Sequence, residues 1–212
     1  MDVGEIKPPS HPIKQKSAHQ QKPASTEEKI YISAQDLLSD SFRLGLEIYN
    51  SGFRPDFIVG IWRGGTPVGI AVQEILDFCG VKTDHIAIRT TSYTGIGQRN
   101  KEVRVHGLDY LISNVDWNDS LLIVDDVFDT GLSIQAVLET LRKKARRNAP
   151  EDIRIATPWF KPCNNQTAIT PDYFLHQTDR WLVFPHELDG LSRQEMLENK
   201  PGLKDLFEEM GL

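Results

Sequence analysis

Five short apolar runs, spaced along the chain with helix-type segments between them, most constrain its fold. Two of them are 56–62 (DFIVGIW) and 120–125 (SLLIVD), and the others are 85–92, 154–160 and 181–184. Continuous apolar runs of this length are typical of strands that are buried on both faces. Helices must then cross over between the strands, so the sequence predicts an α/β fold. We expect a doubly wound, mainly parallel five-stranded sheet with flanking helices.

The segments between these runs have the periodicity and end signals of helices. Ser33 and Asp36 resemble a capping box, which predicts a helix that ends near Gly52. Its predicted buried side comprises Leu37, Leu38, Phe42, Leu46 and Tyr49. Further helices are predicted over 67–78 and 133–146. The predicted buried face of the second comprises Ile134, Val137, Leu138 and Leu141. Residues 191–212 favour short helices broken at Pro201 and Gly202.

The first 29 residues differ in composition from the rest of the chain. Four prolines are interspersed there with Lys, Gln, Ser and His, and few side chains are apolar. Such a segment cannot bury enough surface to offset the entropy of ordering it, so we expect a disordered tail. Residues 30–212 then form one domain. No run reaches the roughly 18 apolar residues of a membrane span and there is no signal-peptide core, which predicts a cytoplasmic protein without a membrane partner.

The segment 121–133 (LLIVDDVFDTGLS) carries the strongest functional signal. An apolar strand leads into Asp125 and Asp126, here called the acid pair, and the phosphate turn 129–133 leads into a helix. Ligands of open α/β sheets bind at the carboxyl ends of strands, beside helix N-termini. The turn can aim backbone N–H groups at a phosphate, and ionised carboxylates suit ribose hydroxyls. A strand end followed by an ordinary turn and helix cap is the alternative, but all features occur together in this order.

At 124–131 (VDDVFDTG) the chain resembles the type I phosphoribosyltransferases, whose signature there binds phosphoribosyl pyrophosphate, PRPP. The resemblance covers about residues 30–205. It implies a loop after the first strand that contacts pyrophosphate and in which a basic residue and a glycine flank a cis peptide. It also implies a hood over the carboxyl ends of the strands, formed by about 161–212. The implied PRPP-binding residues are Arg63, Gly64, Asp125, Asp126, Asp129, Thr130, Gly131, Leu132, Ser133 and Arg193.

The likeness to the 6-oxopurine members of that family implies roles for further residues. Asp129 matches the catalytic acid/base near purine N7, and Ser92 and Tyr93 match the mobile catalytic flap. The implied base-binding residues are Lys161, Trp181 and Leu182. The implied Mg²⁺ ligands are Asp125, Asp126 and Glu187. The chain departs from the family at Leu132, at Glu187 and across 184–186 (FPH), which leaves the choice among purines open.

We therefore expect a Mg²⁺-dependent purine salvage enzyme that transfers the 5-phosphoribosyl group of PRPP to a 6-oxopurine. Hypoxanthine is favoured, followed by guanine and xanthine. A PRPP-binding regulator of nucleotide metabolism, or an enzyme for another base, is the alternative. The net charge of −6 disfavours a general attraction to nucleic acid. A homo-oligomer, either dimer or tetramer, is also expected.

Overall fold

The computed structural model of the protein describes residues 29–93 and 102–211. The predicted tail therefore lies outside the described residues, except Lys29. The strands are β1 (Lys29–Tyr31), β2 (Phe57–Trp62), β3 (Asp84–Tyr93), β4 (Glu102–His106), β5 (Ser120–Val124), β6 (Val127–Phe128), β7 (Asp152–Phe160), β8 (Tyr173–Gln177) and β9 (Trp181–Val183). The helices are α1 (Ala34–Asn50), α2 (Gly65–Phe78), α3 (Asp109–Asn114), α4 (Leu132–Ala145), α5 (Arg193–Asn199) and α6 (Leu203–Glu209). Within these ranges, no helix combines the length and apolar character needed to cross a membrane.

Five parallel strands form the centre of the main sheet, in the order β3-β2-β5-β7-β8. The chain winds outward from β2 to β3 and then, on the other side of β2, from β5 to β8. The order therefore reverses between β2 and β5, and such a switch point leaves a crevice at the carboxyl ends of those two strands. The short β6 adds to β7, and β4 runs antiparallel to β3. The predicted doubly wound, mainly parallel α/β fold is confirmed.

The sheet is covered on both faces, and β5 shows how its sequence achieves this. Leu122 and Val124 belong to the core that also contains residues of α1 and α2. The alternate residues Leu121 and Ile123 belong to the opposite core, with residues of α3 and α4. Because successive side chains of a strand point to opposite faces, a strand between two helix layers must be apolar at every position. The continuous apolar run seen in the sequence follows from this burial.

The two best-defined predicted helices differ in how well their buried faces were predicted. The buried face of α4 contains Ile134, Val137, Leu138 and Leu141, as expected. Ser33 caps α1 by accepting the N–H of Asp36 at 3.0 Å. The predicted buried face of this helix is confirmed only at Leu37, which is buried, and at Tyr49, which is partly buried against the core. The residues buried on α1 are Leu37, Asp40, Ser41, Leu44, Gly45 and Ile48. Leu38, Phe42 and Leu46 are exposed. Both sets follow a helical repeat, and α1 packs on α2 through the set that contains Gly45, where a side chain would meet Ile75.

One of the five predicted strands lies outside the main sheet. Residues 181–184 were expected to supply the fifth parallel strand, but β9 pairs in parallel with β1 in a separate two-stranded ribbon. The fifth parallel strand is β8, whose sequence YFLHQ (173–177) is too polar to resemble a buried run. Strand β9 and the last two helices belong to the part of the chain expected to form the hood, whereas β1 lies near the start of the described chain. Lys29, placed in the predicted tail, is the first residue of β1.

The carboxylate of Glu195 connects the ribbon to α5. Lys29 Nζ lies 2.5 Å from Glu195 Oε1, and the Tyr31 hydroxyl donates to the same oxygen at 3.1 Å. The Glu195 side chain also completes a capping box with Ser192. The hydrogen bond from Lys29, reinforced by those from Ser192, lowers the pKa of Glu195 from its usual value of 4.5 to about 2. The ionised form is therefore favoured by folding.

We expect Glu195→Gln to destabilise the protein by about 1 kcal/mol at neutral pH, and less under acid conditions. A pKa lowered on folding contributes stability that is complete above the unfolded pKa of 4.5 and is lost as the pH falls towards about 2. Urea unfolding followed by tryptophan fluorescence at a series of pH values measures the difference. Asp77→Asn, which breaks an exposed pair with Lys82, is the matched control. A Glu195→Gln difference that did not change with pH would contradict the assignment.

Candidate active site

The loop after β2 and the end of β5 meet at the switch point of the sheet. Gly64 packs so closely on the Asp126 carboxylate that a Cβ atom would overlap it, and a Cβ on Gly65 would overlap the Val124 carbonyl oxygen. Both positions therefore require glycine. Arg63 precedes them and is exposed. The cis peptide implied by the family resemblance is present, but it joins Trp62 to Arg63 and not Arg63 to Gly64. No residue type in the sequence indicates which non-proline bond is cis.

The acid pair is electrostatically unusual. Asp126 is buried, and its N–H donates to Asp125 Oδ1 at 3.0 Å. The surrounding protein keeps water from the Asp125 carboxyl, although that residue retains some exposed surface, and this burial raises the pKa of Asp125 well above its usual range. The neighbouring Asp126 carboxylate raises it further, while the N–H groups of Asp126 and Gly65 oppose the shift. A cation or several ligand hydroxyls at this position would lower the cost of keeping both groups ionised.

The phosphate turn enters α4 through a glycine with a positive φ. Gly131 has a φ of +76°, and a Cβ there would lie 2.6 Å from Thr167 Oγ1 and 2.9 Å from Phe128 Cζ. Glycine allows the turn to enter the 14-residue helix α4 directly, with the first-turn N–H groups of the helix at this edge of the sheet. The Leu132 N–H donates to Thr130 Oγ1 at 3.4 Å. Thr130, Leu132 and Ser133 are all partly exposed. The resulting geometry suits a dianionic phosphate.

Asp129 receives two polar contacts from the segment after β7. Asn164 Nδ2 donates to Asp129 Oδ1 at 2.7 Å, and Lys161 Nζ lies 3.8 Å from Asp129 Oδ2. The main chain joins the same two segments, since the Lys161 N–H donates to the Phe128 carbonyl oxygen at 2.9 Å. The Lys161 side chain is only 12% exposed, whereas that of Asp129 is 42% exposed. An accessible carboxylate beside a largely buried ammonium is thus placed at the carboxyl end of β7.

The segment 184–187 brings a histidine to the acid pair. His186 Nε2 lies 3.5 Å from Asp126 Oδ2. Glu187 instead accepts the Phe184 N–H at 3.2 Å through Oε2. Lys200 is buried and donates to the Phe184 carbonyl oxygen, so both ends of this turn are held. The side chain in contact with Asp126 is thus that of His186.

The other predicted residues lie in β9, in α5 or at the end of β3. Trp181 is 45% exposed with Lys29 Nζ 5.7 Å from its ring centroid, and Leu182 is buried in the core. Arg193 begins α5, and its guanidinium carbon Cζ lies 5.8 Å from the Phe207 ring centroid. Ser92 is exposed near the end of β3, and the side chain of Tyr93 lies outside the described residues.

The structure therefore brings together the predicted residues of the β2 loop, the acid pair, the phosphate turn and Lys161. Sequence reasoning missed two residues that contact them, Asn164 and His186. The only signal for His186 was that 184–186 departs from the family pattern. Nothing in the local sequence distinguished Asn164 from the polar residues around it. A surface cavity of about 400 Å³ beside Trp117 and Asp119 lies at the opposite, amino end of β5 and is no part of this site.

The donor chemistry of the acid pair fits a Mg²⁺ ion. Mg²⁺ prefers oxygen ligands and is often held by one or two carboxylates together with substrate phosphates. Asp125 and Asp126 supply such oxygens, and the raised pKa of Asp125 shows that positive charge would be favourable there. Within 29–93 and 102–211, no group of three or more His, Cys, Asp or Glu side chains could hold a metal ion.

Comparison with known proteins places this geometry in a family. Residues 29–190 match the family model described as phosphoribosyl transferase domain. The purine phosphoribosyltransferase of Pyrococcus horikoshii Ot3 has a similar structure, with a TM-score of 0.60 and 26% identity over 78% of this chain and 97% of that one. The xanthine-guanine-hypoxanthine phosphoribosyltransferase of Helicobacter pylori has a TM-score of 0.62 with 20% identity, over 85% and 99%, and supports the fold alone. The bifunctional protein PyrR of Corynebacterium diphtheriae is 26% identical over 145 residues, 66% of this chain and 74% of that protein.

Proposed function

This chain belongs to the phosphoribosyl transferase domain family and is a phosphoribosyltransferase, and we propose that its acceptor is a 6-oxopurine. It would transfer the 5-phosphoribosyl group of PRPP to purine N9 and release diphosphate. Hypoxanthine is the favoured base, before guanine and xanthine. The observation that carries the assignment of a PRPP site is the contact of Gly64 with Asp126. It places the acid pair next to the loop after β2, and the phosphate turn follows the acid pair in the chain.

PRPP would bind across these three segments. The N–H groups around Gly131, with the hydroxyls of Thr130 and Ser133, would hold its 5-phosphate at the start of α4. The carboxylates of the acid pair would accept hydrogen bonds from the ribose hydroxyls. Arg63, Arg193 and the backbone at Gly64 would contact the diphosphate, where charge develops.

The bond from C1 of the ribose to diphosphate would break with oxocarbenium character at C1, as at a glycosidic bond. A Mg²⁺ ion held by Asp125 and Asp126 would supply positive charge beside the diphosphate. Glu187, which was also expected as a ligand, instead accepts the Phe184 N–H through Oε2. The acid pair would also stabilise the cationic ribose ring, and Arg63 and Arg193 the leaving anion. As purine N9 bonds to C1, Asp129, held by Asn164, would accept the proton that the base loses from N7. Closure of the flap at Ser92 and Tyr93 would exclude water, which otherwise hydrolyses PRPP.

The choice of a purine base is supported by Lys161, Trp181 and one relative. The ammonium of Lys161 can donate to the 6-oxo oxygen, and the exposed ring of Trp181 can stack on a base. The similar chain from Pyrococcus horikoshii is described as a purine phosphoribosyltransferase. Leu182 is buried, so its contact with a base would come from its main chain. The homo-oligomer and the cytoplasmic location stay predictions.

Diphosphate release from PRPP, with Mg²⁺ and each of a panel of purine and pyrimidine bases, tests the proposal. We expect release with hypoxanthine, guanine or xanthine, each dependent on added base. The second candidate is a PRPP-binding regulator, which the likeness to a protein described as bifunctional protein PyrR brings into consideration. PRPP binding measured by calorimetry without diphosphate release on any base would support that alternative. Release with a pyrimidine alone would overturn the purine assignment.

The phosphate turn leads to a prediction about Gly131. Gly131→Val forces a side chain onto Thr167 and Phe128 at a positive φ, so we expect a KM for PRPP raised about tenfold or more, as for loss of a hydrogen bond to a charged group. The KM for the base should change much less. Gly80→Val is the matched control, because Gly80 has a φ of +85° with nothing within 4 Å of its Cβ position. Unchanged PRPP kinetics in Gly131→Val would contradict the role of the turn.

A further inference from the structure

We propose that His186 is a positioning residue of the active site, which holds the Asp126 carboxylate and joins the hood to the acid pair. This inference rests on the proposed function, because it assigns a task within PRPP binding. It also gives a role to the segment 184–186, which departs from the family pattern and lies beside the buried Asp126 carboxylate.

The imidazole of His186 is held on both sides. Its Nε2 lies 3.5 Å from Asp126 Oδ2, while its ring is stacked on that of Phe184 at 5.8 Å between centroids and an interplanar angle of 16°. Phe184 is only 2% exposed and belongs to the core shared with α1 and α2. A ring stacked on a core residue has little freedom to turn, so the direction of its Nε2 is set by packing.

The main chain that carries His186 is equally constrained. The Glu187 N–H donates to the Phe184 carbonyl oxygen at 3.0 Å, and the Phe184 N–H donates to Glu187 Oε2 at 3.2 Å. Lys200, only 7% exposed, donates to that same carbonyl oxygen from the end of α5. These three hydrogen bonds constrain the backbone of the turn 184–187, and the side chain of this turn that contacts the acid pair is that of His186.

Asp126 needs such a partner more than an ordinary surface carboxylate does. It is buried, Gly64 packs on its Oδ2, and the Asp125 carboxyl lies next to it. An isolated ionised carboxylate is costly to bury unless it is paired or hydrogen-bonded. The ring nitrogen beside Oδ2 fixes the plane of the carboxylate, so that the other oxygen, Oδ1, can accept a hydrogen bond from the ribose.

Two kinds of variant separate the polar contact from the packing of the ring. His186→Phe keeps an aromatic ring on Phe184 but removes Nε2. His186→Gln and His186→Met have side chains of equal length, of which only glutamine can donate a hydrogen bond. His85→Phe is the matched control, since His85 is exposed at the amino end of β3, away from the site.

We expect His186→Phe and His186→Met to raise the KM for PRPP about tenfold, the order expected for loss of one polar contact with a charged group. The KM for the base should stay within about twofold in both, and His186→Gln should recover most of the affinity for PRPP. Calorimetric PRPP binding should show the same order of variants. His85→Phe should behave as the wild type.

The inference is overturned if His186→Phe and His186→Met bind PRPP as well as the wild type, or if His186→Gln is impaired as severely as His186→Met. Normal PRPP binding by His186→Phe, with impaired binding by both His186→Gln and His186→Met, would indicate that only the packing of the ring matters. If His186→Phe fails to fold, the comparison of PRPP binding by His186→Gln and by His186→Met still tests whether the polar contact matters. A wild type that binds PRPP but releases no diphosphate with any base would refute the proposed transfer reaction, while PRPP binding would still test His186.

Discussion

Adenine should be used at least about a thousandfold less efficiently than hypoxanthine, measured as kcat/KM, because a site built around one hydrogen bond can reject the wrong partner by up to 10⁴–10⁵. Lys161 can only donate, and adenine presents an amino donor where hypoxanthine presents an oxygen. The Lys161 side chain is only 12% exposed, so water cannot easily satisfy the two opposed donors. Its distance of 3.8 Å from Asp129 places the ammonium beside the proposed acid/base.

Steady-state kinetics with both bases at saturating PRPP measure this ratio. Lys161→Ala should narrow the gap, mainly by lowering the efficiency with hypoxanthine. Lys143→Ala, at an exposed lysine of α4, is a control of equal charge change that should leave the ratio as it is. Comparable efficiencies for adenine and hypoxanthine in the wild type would refute the role of Lys161 and with it the 6-oxopurine assignment.

Asp129→Asn should lower kcat by at least about a hundredfold, since general acid–base catalysis typically contributes 10²–10⁴-fold. The replacement keeps the size of the side chain and one oxygen that can accept a hydrogen bond from Asn164. In the wild type, Asn164 donates to Asp129 Oδ1 at 2.7 Å. The KM for PRPP should therefore change little, because the acid pair and the turn at Gly131 stay in place.

A carboxylate in the same part of the fold provides the control for that variant. Asp179 accepts the Cys163 N–H at 3.0 Å, one residue before Asn164 in the chain. Asp179→Asn should retain the wild-type kcat, since it changes the charge near the segment after β7 without touching Asp129. Loss of PRPP binding with kcat preserved in Asp129→Asn would reassign Asp129 to a structural role in the turn.

The local order of strand, acid pair, turn and helix could be predicted from the sequence because each part depends on near neighbours. The apolar run at 120–124 requires burial on both faces, and Gly131 is needed where the chain turns at a positive φ into α4. Since the carboxyl ends of parallel strands share one edge, placing the β2 loop, the acid pair and Lys161 together also followed from the order of the runs.

Partner choice between distant segments was less predictable. On α1 the stripe with Leu38 and Phe42 and the stripe with Leu44 and Ile48 have the same helical spacing, and only packing against α2 decides between them. Residues 181–183 are apolar enough for the main sheet, yet they pair with β1, which begins some 150 residues earlier in the chain. Local periodicity indicates that a segment is buried, but it does not identify the strand or helix against which the segment packs.

By itself, the sequence determined the α/β class, the elements that lead into the site and the acid pair with its phosphate turn, because short-range periodicity and turn chemistry specify them. Only the tertiary structure decided that Asn164 reaches Asp129, that His186 and not Glu187 contacts Asp126, and that β1 pairs with β9. These contacts join residues that are distant in the chain. They follow from how the two helix layers and the ribbon pack, and no local pattern encodes that packing.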